Sequence, residues 1–157
     1  MGLVDFDPFK VIKAALKCGG DFADVYVEDG VNNSIVCEEE RIEKVISGRD
    51  RGAGIRVIAD LKTYYAYTND LTEKGLLEVA SVVANGVRGG GPGCEIGPVR
   101  KEVAKGFEIK KMPPSVELSE KVKLVRRADE TARGFDKRIS QVRVVYGDGL
   151  KKFQRFF

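Results

Sequence analysis

Between Ser47 and Asp70 the sequence SGRDRGAGIRVIADLKTYYAYTND alternates in polarity, turns, alternates again and ends at a helix start. Ile55, Val57 and Ala59 alternate with Arg56, Ile58 and Asp60, and the turn at Asp60 runs through Leu61 and Lys62 into Tyr64–Thr68. Alternation of this kind puts successive side chains on opposite faces of a β-strand, and so short a connection makes the two strands antiparallel neighbours. A two-stranded ribbon is at best marginal in water, so the flanking sequence has to cover its apolar face.

That cover is visible on both sides. A first helix is predicted with Asp7 as its cap, Pro8 in its first turn and Gly19–Gly20 as its end. Phe9, Ile12, Ala15 and Leu16 share one face of it. In the strand that follows, Ala23, Val25 and Val27 face one way and Asp24, Tyr26 and Glu28 the other. Asp29-Gly30 reads as a two-residue hairpin turn, with a return strand at Ser34–Cys37 and a third strand at Ile42–Ile46. The acidic run Glu38–Glu40 has two readings, a metal-binding cluster or a solvated strand end. Consecutive strand residues diverge, which favours the solvated end. After the tyrosines, Asp70 is placed to cap a second helix, with Glu73 at capping-box spacing and Leu76, Ala80, Val83, Ala84 and Val87 as its buried stripe. The expected class is α+β, a meander of about five antiparallel strands packed by helices.

From Gly89 to Pro114 the chain is rich in glycine and holds four of the five prolines. This stretch reads as a linker. The expected division is an α+β domain over 1–91, a linker over 92–114 and the start of a further domain over 115–157. In the last segment Ser119 caps a third helix, Leu118, Val122, Val125 and Ala132 mark its face, and Gly134 stops it. A hairpin then runs from Ile139–Tyr146 through Gly147-Asp148-Gly149 to Leu150–Phe157. One helix and one hairpin bury too little to stand alone. Phe153, Phe156 and Phe157 fall at or near an unpaired edge, so the expectation is a chain truncated within that hairpin.

Apolar residues make up 43% of the sequence and charged residues 32%, a globular rather than a disordered composition. The net charge is only +3, with both signs interspersed, so no basic field for nucleic acid is present. No apolar run is long enough to span a membrane, and the start MGLVDFDPFK lacks the pattern of a secretory signal. Gly2 is not in a myristoylation context, because Phe6 stands where Ser or Thr is needed. A cytoplasmic protein without membrane or nucleic-acid partners is expected.

The sequence contains no histidine. Its cysteines, Cys18, Cys37 and Cys94, are odd in number and without CxxC spacing, which argues against a disulfide framework or zinc knuckle. Cys18 and Cys37 read as small core residues, and Cys94 sits in the glycine-rich loop. A nucleophilic cysteine lacks its usual activating base, and a catalytic zinc its usual ligand. Gly52-Ala53-Gly54 lacks the context of a dinucleotide or phosphate loop and reads as a bulge or strand start. Arg49 and Arg51 can recognise a carboxylate, such as a peptide C-terminus, or simply pair with Asp50 or Glu43. Tyr65 and Tyr67 share a strand face and suit a core or interface position, or the wall of a peptide groove. Arg49, Arg51, Tyr65 and Tyr67 are therefore the candidate peptide or interface contacts, with no catalytic, cofactor or metal residue among them.

In four segments the chain resembles the TldD/PmbA (TldD/TldE) family, once named modulators of DNA gyrase. They are ADVYVEDG at 23–30, SGRDRGAGIRVI at 47–58, AYTNDLTEKGL at 66–76 and ADETARGFDKRISQVRVVY at 128–146. The resemblance implies longer parent proteins that dimerise around an internal cavity. It implies a zinc metallopeptidase whose His-Glu-x-x-x-His site, completed by a cysteine, lies C-terminal to this region. None of those ligands carries over to this chain, and Cys94 does not match the family's metal cysteine. The chain is thus expected to be the N-terminal part of such a subunit, shaping the cavity and guiding extended peptides, with a TldD/TldE-type subunit or a C-terminal half as partner. A non-enzymatic interaction module is the alternative.

Overall fold

The computed structural model describes residues 5–87 and 108–157. The glycine cluster at 89–93, Cys94 and most of the expected linker lie outside the described residues. The element order is α1 (Pro8–Ala15), β1 (Phe22–Glu38), β2 (Arg41–Ala59), β3 (Lys62–Thr68), α2 (Glu73–Gly86), a 3₁₀ turn (Pro113–Ser115), α3 (Leu118–Phe135) and β4 (Arg143–Phe156). The strands form one sheet in the order β3-β2-β1-β4, and β2 pairs antiparallel with β3. The class is α+β, as expected.

The sheet has four strands rather than about five, because three of them are long. β1 runs unbroken through Asp29-Gly30, and its turn comes at Glu39-Glu40, both with positive φ (49° and 64°). A second turn of the same kind is made by Asp60 and Leu61, at φ 50° and 61°. Two successive left-handed residues are the geometry whose twist matches paired strands. The expected hairpin at Gly147-Asp148-Gly149 is likewise absent, and β4 passes straight through those residues. Gly52 and Gly54 lie within β2 rather than at a strand start.

The helix starts also differ in detail. Thr72, not Asp70, caps α2, its hydroxyl accepting from Gly75 N at 3.1 Å. Asp70 accepts from Thr72 N at 3.0 Å and shapes the turn before it. That bond, chiefly, holds the Asp70 carboxyl below its ordinary range. Helix α3 starts at Leu118 with Glu117 as its uncapped N-terminal residue, so Ser119 lies inside it. Its buried side chains are Lys121, Val125 and Asp129, a stripe of which only Val125 was legible as apolar. Leu118, expected on the buried face, is exposed.

The described residues fall into two compact units. The first draws on Met1–Asp29, Arg51–Ala104 and Lys152–Phe157. Its core joins Val11, Ile12 and Ala15 of α1 and Leu76, Ala80 and Val83 of α2 to Val25, Val27, Ile55 and Val57 of the sheet. Tyr64 and Ala66 of β3 pack against the same core, so both helices cover one face of the sheet. Phe156 joins that core and meets Phe6 edge-on at 5.7 Å. Asp7 caps α1 as expected, accepting from Phe9 N at 3.0 Å. Phe9 itself is exposed and Val11 is fully buried in its place, while Cys18, expected in the core, is exposed.

Gly20 closes the link from α1 to β1 at φ +138°, where a Cβ would stand 2.7 Å from both Leu16 Cδ2 and Val57 Cγ1. Gly20→Ala combines a backbone conformation L-residues rarely adopt with overpacking, and is expected to lower stability by about 2 kcal/mol in urea unfolding. An unchanged midpoint would show that the link relaxes freely.

The second unit comprises Gly30–Asp50 and Lys105–Lys151. Ile35, Cys37 and Val125 form its small core, with Ile42, Val122, Val144 and Tyr146 around them. A polar network completes it. Lys121, 4% exposed, pairs with Asp148 at 2.7 Å and donates to Pro113 O at 3.0 Å. Asp148 also accepts from Asn33 Nδ2 at 2.7 Å and from the Tyr146 hydroxyl at 2.5 Å.

Candidate functional site

In the first unit the sheet face opposite the helices carries a groove of 340 Å³, lined by Asp24 and Tyr26 of β1, Gly54 and Arg56 of β2, Tyr65 of β3, and Phe153 and Arg155 of β4. The alternation that buries Ala23, Val25, Ile55 and Val57 under the helices is what turns these neighbours outward. The β2–β3 register places Arg56 directly opposite Tyr65.

Asp24 is the centre of the groove and is almost fully buried. It accepts from Arg56 through Nε at 2.8 Å and Nη2 at 3.2 Å, and from Arg155 Nε at 2.6 Å. Two guanidinium groups on one carboxylate give short, charge-assisted bonds that satisfy a carboxylate otherwise costly to bury. The hydrogen bond to Asp24, above all, raises the Arg56 pKa further and keeps it charged. Arg56 also lies over the Phe22 ring at 5.8 Å. The Arg155 side chain is about half exposed.

Aromatic walls flank this charged centre. Tyr26 stacks on Phe153 at 5.9 Å, and the Tyr26 hydroxyl donates to Glu28 at 2.8 Å. Tyr65, 62% exposed, lies across Gly54, where a Cβ would meet its hydroxyl at 2.5 Å. Glycine at that position is what lets the ring lie flat along the groove. The arrangement offers apolar ring faces and outward guanidinium nitrogens side by side, which suits an extended peptide with a carbonyl or carboxylate to place.

Of the four residues predicted from sequence, the groove takes in Tyr65 alone. Tyr67 shares its strand face but stands at 74% exposure outside the lining. Arg49 and Arg51 occupy exposed positions on β2, each holding interactions of its own, and neither lines the groove. Asp24, Arg56 and Arg155 escaped sequence reasoning because they lie 32 and 131 residues apart in the chain. The available signal was an acid on the outward parity of a strand between apolar neighbours.

A catalytic zinc does not fit the described residues. The sequence has no histidine, and no three Cys, Asp or Glu side chains converge among them. No described helix is long and apolar enough to cross a membrane.

Residues 23–86, which contain most of the groove, match the family model described as PmbA/TldA metallopeptidase domain 1. Over that stretch the chain is similar to the TldD/PmbA family. It is 29% identical over 126 residues to the metalloprotease TldD homolog of Haemophilus influenzae, an alignment covering 78% of this chain and 26% of that protein. Three crystal structures share the fold over 94% of this chain. They are a protein of Bacteroides thetaiotaomicron described as a modulator of DNA gyrase (TM-score 0.67, 20% identity, 35% of that chain), a like-named protein of Thermotoga maritima (0.58, 18%, 34%) and TldE of Thermococcus kodakarensis (0.55, 19%, 36%). The chain thus spans about a quarter of the curated relative and about a third of the solved structures.

Proposed function

We propose that this chain acts as the N-terminal part of a TldD/PmbA-type metallopeptidase subunit, guiding an extended peptide along the groove centred on Asp24. Peptide-bond cleavage, and the zinc that would serve it, belong to residues outside this chain. The observation that carries this reading is the outer sheet face itself, where Arg56 and Arg155 are fixed by Asp24 between the exposed rings of Tyr65 and Phe153. Fixed guanidinium groups take a peptide carbonyl or carboxylate at little entropic cost, and rigid rings take its side chains.

Titration of the 157-residue chain with an unstructured, aromatic-rich peptide, followed by NMR, tests the reading. The double variant Tyr65→Ala/Phe153→Ala is expected to weaken binding by about tenfold or more, since exposed aromatic anchors typically carry 1–2 kcal/mol each. Both rings are more than 60% exposed, so the thermal midpoint should hardly move. Equal binding by the wild type and the double variant would sink the groove as the peptide site.

A second reading is assembly. β4 is an edge of the four-stranded sheet and is 14 residues long, enough to pair with a strand of a TldD- or TldE-type subunit. Light scattering on a mixture with such a subunit separates the readings. A complex that forms equally well with the groove variant assigns assembly to the edge and not to the groove.

A further inference from the structure

The charged centre of the groove has a composition that its ring walls alone do not require. Arg56 reaches Asp24 from β2 and Arg155 reaches it from β4, the strands on either side of β1. Both end on one oxygen, for Asp24 Oδ2 accepts from Arg56 Nη2 at 3.2 Å and from Arg155 Nε at 2.6 Å. Two like charges are thereby held together over β1, within reach of one small anion. The three groups differ in access. The Arg56 and Arg155 side chains are 36% and 46% exposed and that of Asp24 only 6%, so a ligand in the groove can touch both arginines while the carboxylate that fixes them stays covered.

One carboxylate against two guanidinium groups leaves a formal charge of +1, and the other lining residues, Tyr26, Gly54, Tyr65 and Phe153, are uncharged. An ammonium group is repelled by that charge. A neutral carbonyl accepts a hydrogen bond but leaves the charge unbalanced. A carboxylate balances it, and its two oxygens suit planar guanidinium donors. Water competes for every such anion, and an ordinary exposed ion pair gains little because its long side chains must be ordered. Here Asp24 has ordered them beforehand, which lowers that cost.

The rings say what adjoins the carboxylate. Tyr65 of β3 stands opposite Arg56. On β4, at the other side of Asp24, Phe153 lies two residues from Arg155 and stacks on Tyr26. Apolar ring faces therefore flank the arginine pair on both sides.

We infer that the groove holds a carboxylate subsite, in which Arg56 and Arg155 together take one carboxylate and Tyr65 and Phe153 take the apolar residues beside it. The inference rests on the peptide-guiding role of this groove and adds the class of peptide it selects. The carboxylate comes from an aspartate or glutamate side chain or from the peptide's C-terminus.

Matched peptides titrated into the 157-residue chain and followed by NMR test this. A Gly-Phe-Glu-Phe-Gly peptide blocked at both ends, against its glutamine counterpart, is the side-chain arm. A blocked Gly-Phe-Phe peptide with a free or an amidated C-terminus is the chain-end arm. The carboxylate form should bind about threefold to tenfold more tightly in at least one arm, and the advantage should shrink as salt is added. The arm that shows it assigns the source. Arg155→Gln should remove the advantage while the uncharged peptides still bind, and Tyr65→Ala/Phe153→Ala should weaken charged and uncharged peptides alike. Equal binding of the two forms in both arms, with both still weakened by the ring variant, would overturn the carboxylate subsite and leave the peptide groove standing. Binding that ignored the ring variant would overturn the groove, and the subsite with it.

Discussion

Asp148→Ala should cost the protein about 3–5 kcal/mol in urea unfolding, the range found when one partner of a buried ion pair is removed. Lys121 is the reason. Its side chain is 4% exposed, and among the described residues it keeps the carbonyl of Pro113 once Asp148 is gone. The Tyr146 hydroxyl and the Asn33 amide lose their acceptor in the same step. The cost is thus mainly that of an uncompensated buried charge. A double variant, Lys121→Met with Asp148→Leu, removes the whole pair and should recover most of the loss. If the double variant were as unstable as the single one, the network would be holding the unit by packing rather than by charge.

The same carboxylate gives a pH signature. Burial pushes the Asp148 carboxyl up, but hydrogen bonds from Asn33, Lys121 and Tyr146 together outweigh it and hold its pKa below the ordinary value. A depressed carboxyl pKa contributes stability that is fully present above the unfolded-state value and is lost as pH falls through the folded-state value. The stability gap between wild type and Asp148→Asn should therefore be flat above about pH 5 and narrow as pH falls below about 4. Unfolding midpoints collected from pH 7 to pH 2.5 read this directly (both limits about those of a standard buffer series). A gap that widened toward acid would reverse the sign of the argument.

More of the fold was legible than the turns suggested. Asp29-Gly30 is a strong local hairpin signal, yet the parity of the sequence contradicts it. In a two-residue hairpin there, Val27 would pair with Asn32 and Val25 with Ser34, so Asn32 and Ser34 would face the core. The apolar residues are Ile35 and Cys37, which continue the odd-numbered face of Ala23, Val25 and Val27 and are buried. The even-numbered face of β4 runs from Val144 through Tyr146, Asp148 and Leu150 in the same way. Parity over a long window outweighs one turn dipeptide, because a slipped face exposes every apolar side chain after it. The actual turn at Glu39-Glu40 was not legible, since glutamate has no preference for positive φ and is held there by the pairing of β1 and β2. The stripe of Lys121, Val125 and Asp129 on α3 was hidden for a related reason. A charged residue enters a core only with its partners, and those partners lie on other elements.

Asp24→Ala is expected to lower stability by about 2–3 kcal/mol and to change what the groove attracts. The loss is smaller than at Asp148 because the two stranded groups are already partly in water, Arg56 at 36% and Arg155 at 46% side-chain exposure. The groove lining has two arginines and one acid, a formal charge of +1, and the substitution raises it to +2. A peptide ending in a free carboxylate should then bind about threefold to tenfold more tightly than to the wild type, with a steeper fall as salt is added. Its C-terminally amidated counterpart should not gain, and is expected to weaken, because the guanidinium groups lose the carboxylate that fixes their direction. Asp24→Asn keeps an acceptor for one arginine and should fall between wild type and alanine in both stability and carboxylate preference. Peptide titrations at two salt concentrations, with urea unfolding of each variant alongside, separate the roles. If both peptides weaken equally in Asp24→Ala, Asp24 only maintains the sheet face. A gain confined to the carboxylate peptide makes Asp24 the residue that sets the sign of the groove.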